Sequence, residues 1–105
     1  MKHQITKDGS TVIVHLSERL TSHDRGDFDR LVSELMAARP GQIEVNLKEL
    51  AFMDSAGLGF LLTLREQAEA GNASVLLVDP KGEVRETLEL ARFDTLFHIV
   101  QRTTD

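Results

Sequence analysis

No cysteine occurs among the 105 residues. Disulfides, thiolate nucleophiles and cysteine-based zinc sites are excluded, and the absence fits a reducing compartment. Tryptophan and tyrosine are also missing, leaving five phenylalanines. The core must be mainly aliphatic, and the aromatic platforms on which single-stranded nucleic acid stacks are lacking. No apolar run reaches the roughly 18 residues of a membrane span, and Met1-Lys2-His3-Gln4 begins no signal peptide. A soluble cytoplasmic protein without direct membrane insertion is expected. Positive charge is scarce: 12 Lys and Arg face 17 Asp and Glu, a net charge of -5. Nucleic-acid binding needs clustered cations and is not expected. Repeats, linkers and low-complexity segments are absent as well, so residues 1–105 are expected to form a single domain. A chain of this length buries about two-thirds of its unfolded surface, enough for one modest core without staples.

Chemistry is thin across most of the chain. His3, His15, His23 and His98 show no ligand spacing, so no metal and no cofactor are expected. Glu66, Glu69, Glu83, Arg85 and Glu86 read as solvated helix faces. A monomer is the expected free state.

The periodicity predicts the elements. Residues 2–6 and 11–16 flank Asp8-Gly9 and read as a hairpin. Residues 17–23 read as a polar loop. A helix over about 24–38 is expected from Phe28, Leu31, Val32, Leu35 and Met36 at helical spacing, with Thr21 or Ser22 as its cap and Arg39-Pro40-Gly41 as its stop. Strand three, about 42–47, alternates Ile43, Val45 and Leu47 with Glu44 and Asn46, which predicts one wet face there. A second helix over about 56–70 ends at Gly71-Asn72. Val75-Leu76-Leu77-Val78 is continuously apolar and predicts a central strand over 74–78, buried on both faces. Asp79-Pro80-Lys81-Gly82 reads as a turn, followed by a helix over about 82–91 packing through Val84, Leu88 and Ala91. A short strand near 98–101 closes the sheet. The order ββαβαβαβ predicts a small mixed α/β sheet, with an antiparallel hairpin, parallel crossovers and helices mainly on one face.

The most informative stretch is residues 46–59, Asn-Leu-Lys-Glu-Leu-Ala-Phe-Met-Asp-Ser-Ala-Gly-Leu-Gly. A strand runs into a short loop ending at Asp54-Ser55, and a helical pattern starts at once with Leu58, Leu61 and Leu62. Serine is a preferred N-cap residue, and Asp54 has the alternative reading of a carboxylate that caps or stabilises the helix start. The free N–H groups and partial positive charge of the first turn would lie beside a phosphate on Ser55. Gly57 and Gly59 each cost up to about 1 kcal/mol against alanine in a helix. Two such costs beside one exposed hydroxyl suggest a site rather than a packing need. Gly57-Leu58-Gly59 lacks the lysine and length of a P-loop, and Ser55 lies in no G-x-S-x-G elbow, so neither a phosphate-cradling loop nor a hydrolase triad is indicated. Phe60, Leu64, Leu61, Leu58 and Leu62 span about 200° of the helix, wider than a sheet-packed helix needs. One edge, through Phe60 or Leu62, is a candidate partner surface beside Ser55.

The pattern Ile43-x-x-Asn46-Leu47-x-x-Leu50-x-Phe52-Met53-Asp54-Ser55-x-Gly57-Leu58-Gly59 resembles the signature of single-domain STAS proteins, the anti-sigma factor antagonists. Leu90-x-x-Phe93-x-x-Leu96-Phe97-x-Ile99 extends the resemblance more weakly towards the end of the chain. The resemblance implies a STAS-like fold and a phosphorylation-controlled binding module rather than an enzyme. Ser55 would be the phosphorylated serine. Asp54, Ala56, Gly57, Leu58, Gly59, Phe60, Leu62, Thr21 and Ser22 would contact the partner. That partner would be an anti-sigma factor and serine kinase of the histidine-kinase-like ATPase type, with a PP2C-type phosphatase reversing the modification. The segment Ser17-Glu18-Arg19-Leu20-Thr21 departs from the family, standing where many antagonists carry Leu-x-Gly-x-Leu-Asp. It is expected beside the Ser55 loop, where it would set which partner is recognised. A second reading is a STAS subunit of a membrane lipid-transport complex, acting as a constitutive interaction module.

Overall fold

The computed structural model describes residues 1–103. Five strands and three helices follow the expected order: β1 (Lys2–Asp8), β2 (Thr11–Leu20), α1 (Arg25–Ala37), β3 (Gln42–Met53), α2 (Ser55–Ala70), β4 (Ser74–Val78), α3 (Gly82–Leu90) and β5 (His98–Val100). Short 3-10 turns occupy Ser22–Asp24 and Phe93–Thr95. The sheet order is β1-β2-β3-β4-β5, with β1 antiparallel to β2 and the other pairs parallel. Each crossover therefore steps to the adjacent strand in the same direction. Connections of one hand stepping one way put their helices on one face. Val12, Val14, Leu16, Ile43, Val45, Leu47 and Leu77 meet Phe28, Leu31, Leu35, Leu61, Leu64, Val84 and Leu88 in one core.

The hairpin turns at Gly9-Ser10, where Gly9 takes a left-handed φ of 63° that glycine adopts without steric cost. At this end the backbone is stitched across strands. Ser10 O accepts from Gly41 N at 2.8 Å, and Gly41 O accepts from Ser74 N at 3.1 Å.

Several expectations need correction. The polar loop over 17–23 is mostly strand: β2 runs on to Leu20, because Leu20 is fully buried and pairs with Met53. Register shifts at His15/Ser17 and Glu18/Arg19 absorb the broken alternation, and Glu18 takes a φ of 70°. The wet face of β3 is closed at Glu44, which is 9% exposed. Its carboxylate accepts two hydrogen bonds from the Arg102 guanidinium, each 3.0 Å. Leu76 and Val78 are buried on that face too, but β4 is second from the edge rather than the middle strand. Ser74 is exposed and Val75 half-buried, so only Leu76–Val78 is sealed on both sides. Ala91 is exposed beyond the end of α3, and Arg92 turns the chain left-handed at φ 56°. Stacked Phe93 and Phe97, with centroids 5.3 Å apart, fill the core in its place. After α2 it is Asn72, at φ 59°, that takes the left-handed position, while Gly71 stays at φ -97°.

Candidate functional site

β3 delivers Met53 into the core and ends there, which places Asp54 in the bend before α2. Asp54, not Ser55, is the N-cap. Its backbone is extended and its Oδ1 accepts from Gly57 N at 3.0 Å. Its Oδ2 accepts from Ser22 N at 3.2 Å. Leu20 O accepts from Asp54 N at 3.2 Å. One half-buried carboxylate thus ties the turn after β2 to the start of α2. The departure segment and the Ser55 loop are in contact, as expected.

Ser55 is the first helical residue and is exposed. The cap is already taken, so its hydroxyl is presented rather than used. Asp54 engages the Gly57 N–H, and Leu58 N donates to Asp54 O at 3.3 Å. The N–H groups of Ser55 and Ala56 have no partner within the helix.

The two glycines divide. A Cβ on Gly57 would lie 2.4 Å from Met53 Cγ and 2.9 Å from Leu20 O. Gly57 is buried, and its smallness is a packing need, contrary to the expectation of a site. A Cβ on Gly59 would meet nothing within 4 Å. Gly59 is exposed four residues from Ser55, on the same face of α2. Packing gives no reason for a glycine there, and the space around it is open.

The apolar arc of α2 is covered more than its width suggests. Phe60 is 5% exposed and stacks on Phe28, with centroids 5.3 Å apart. It is not the exposed edge its spacing suggests, because α1 covers it. Leu58, Leu62 and Ala56 remain half-buried. The face around the serine is Ser55, Leu58, Gly59 and Leu62, joined by Ser22 through the Asp54 tie.

Neither Thr21 nor Ser22 caps α1. Thr21 caps the 3-10 turn: its Oγ1 accepts from His23 N at 3.4 Å, and Asp24 Oδ2 accepts from Thr21 N at 2.8 Å. Asp24 Oδ1 also accepts from the Met1 ammonium at 2.9 Å. Burial pushes the Asp24 carboxyl upward, but the Thr21 N–H and the ammonium outweigh it and hold it below the usual value. The Thr21-x-x-Asp24 spacing is a capping-box signal that sequence reasoning could have used. Arg19 and Arg25 were also missed. Arg19 lies over the Phe52 ring at 4.5 Å, and Arg25 over Phe60 at 5.4 Å. Among the described residues no group of three or more His, Cys, Asp or Glu could hold a metal ion. No helix there is long and apolar enough to cross a membrane.

Comparison with known proteins gives consistent matches. The STAS domain family model matches residues 2–105. A STAS-domain containing protein of Pseudomonas aeruginosa (strain UCBPP-PA14) is 34% identical over 92 residues, covering 88% of this chain and 90% of that one. An anti-sigma factor antagonist from Mycobacterium paratuberculosis superposes with a TM-score of 0.84 at 17% identity, covering 99% of this chain and 87% of that one. The anti-sigma factor antagonist SpoIIAA in its unphosphorylated form gives 0.79 at 22% identity, over 97% and 89%. The phosphorylated form of the Bacillus cell fate determinant SpoIIAA gives 0.68 at 22% identity, over 97% and 92%. At these identities the solved structures establish the shared fold.

Proposed function

The chain belongs to the STAS domain family, and from that premise we propose that it is a phosphorylation-switched anti-sigma factor antagonist, a binding module and not an enzyme. One observation carries the reading. Ser55 is exposed at the start of α2, while the carboxylate beside it takes the cap and clamps the neighbouring turn. In the unphosphorylated state the face of Ser55, Leu58, Gly59, Leu62 and Ser22 docks on a serine kinase of the histidine-kinase-like ATPase type. That binding releases the kinase's client. The kinase brings ATP, Mg²⁺ and most of the charge stabilisation, because phosphoryl transfer is chiefly positioning and electrostatics. The γ-phosphoryl group moves to Ser55 Oγ, the hydroxyl proton is lost and ADP leaves. A PP2C-type phosphatase hydrolyses the ester and restores the docking face.

The phosphate adds about -1.5 to -2 charges. The Ser55 and Ala56 N–H groups and the helix terminus favour it. Asp54, one residue away, repels it. Asp54 is also the residue that holds Ser22 against α2. The added charge thus acts on the docking face twice, through repulsion of the partner and through the Asp54 tie.

The test is incubation with candidate kinases of this type and ATP, with the phosphate located by mass spectrometry. Modification at Ser55 is the expected result, and an unmodified Ser55 with every active kinase sinks the switch. In a parallel binding assay Ser55→Ala is expected to retain affinity and Ser55→Asp to weaken it. Equal binding by both would defeat the charge mechanism.

A further inference from the structure

Within segment 17–25 the carboxylates are engaged and the arginines are not. Glu18 pairs with Lys2 at 3.1 Å and Asp24 with the Met1 ammonium at 2.9 Å. Arg30, Arg65, Arg85 and Arg102 each face a carboxylate. Arg19 and Arg25 have no ion pair among the described residues, and each lies over an aromatic ring. A guanidinium on a ring face is held in place while its N–H edges still point outward as a planar fork for carboxylate.

The fold places the two arginines on either side of the Asp54-Ser55 bend. Arg19 pairs in register with Phe52, three residues before Ser55, and the next residue, Leu20, accepts the Asp54 N–H. On the other side Ser22 donates to Asp54, and Arg25 follows the turn to reach Phe60, about 7.5 Å along α2 from Ser55. The segment carrying the two arginines wraps the residue that precedes the serine.

We propose that Arg19 and Arg25, one on each side of the Asp54-Ser55 bend, each receive a carboxylate from the partner, so that the partner surface docking over Ser55 is acidic. The proposal deepens the partner-binding reading of Ser55 and rests on it. Charge complementarity identifies the occupant. The chain as a whole carries -5 and repels acidic proteins, so two local arginines with no ion pair among the described residues are what admit one. Arg19 lies in the segment that departs from the family pattern.

Two measurements test it. Isotope-labelled full-length protein is titrated with hexaglutamate at low salt, and the arginine Nε–H signals are followed by NMR. Arg19 and Arg25 are expected to shift, and the shifts are expected to vanish in a folded R19Q/R25Q variant. Shifts of equal size at Arg39 and Arg92, or none, would overturn the pair. The second measurement uses the kinase that modifies Ser55. The double variant's association rate is expected to fall about tenfold at low salt, and much less at high salt, with dissociation little changed. An unchanged rate with Ser55 still modified overturns the pair and leaves the switch standing. Selective hexaglutamate shifts with Ser55 never modified support the pair and sink the switch.

Discussion

Two aspartates occupy the same place in successive crossovers and are put to opposite uses. Asp54 follows β3 and Asp79 follows β4. Each carboxylate accepts two backbone N–H groups. Those of Asp54 come from Ser22 and Gly57, at 3.2 and 3.0 Å. Those of Asp79 come from Arg102 and Thr103, at 2.6 and 3.1 Å. Asp79 is 2% exposed, turns left-handed at φ 55° and precedes buried Pro80, which has no N–H. It caps no helix and seals residues 102–103 against the sheet. Asp54 is half-buried and extended, caps α2 and precedes an exposed serine. An acid at a strand end is not by itself a sign of function. The residue it presents, and whether the surroundings leave that residue open, makes the difference.

The contrast can be broken by substitution. The largest loss of thermal stability is expected for Asp79→Ala, which strands two N–H groups, with the rate of Ser55 modification unchanged below the melting point. Melting curves and a phosphorylation time course would show it. A slowed modification would mean the two ends are coupled. Acid sharpens the same point. Burial pushes the Asp79 carboxyl up, but the Arg102 and Thr103 N–H groups win and hold it below 3.8. A lowered folded value contributes stability above about pH 4 that is lost as pH falls through it. Asp79→Asn is therefore expected to flatten the fall in melting temperature between pH 5 and pH 3. Gly57→Ala comes next, costing about 1–3 kcal/mol in denaturant unfolding because Met53 and Leu20 must give way. Asp54→Ala costs about 1 kcal/mol as a lost cap, and amide exchange at Ser22 and Gly57 is expected to quicken. Gly59→Ala is the smallest change and runs the other way, stabilising by up to about 1 kcal/mol. Partner affinity is nevertheless expected to fall, because the methyl group stands on the approach to Ser55. Tight binding by Gly59→Ala would remove Gly59 from the docking face.

Element order, the one-sided placement of helices and the Asp54-Ser55 bend were all legible in the sequence. They rest on local periodicity and strand–helix alternation. What was not legible rests on contacts between distant residues. The pattern breaks at Ser17, so β2 reads as ending, but bulges carry it to Leu20 and its place opposite Met53. Gly57 looks like a functional glycine until Met53 and Leu20 are seen where its Cβ would go. Phe60 looks like an edge until Phe28 covers it. Glu44 reads as solvated because its partner, Arg102, lies 58 residues further on. Asp54 had two readings, and only the bond to Gly57 separates the cap from the serine beside it.

The hairpin turn at Gly9-Ser10 lies at the start of β2, and the ten residues of that strand carry the chain to Leu20 beside Asp54. At about 3.3 Å per residue the strand spans nearly the 31 Å length of the molecule. The turn is exposed and its glycine has open space around it. A fluorophore, surface tether or inserted domain placed there would sit at the opposite pole from the serine. Single-molecule or biosensor formats could then hold the protein by that handle and leave the proposed docking face unobstructed.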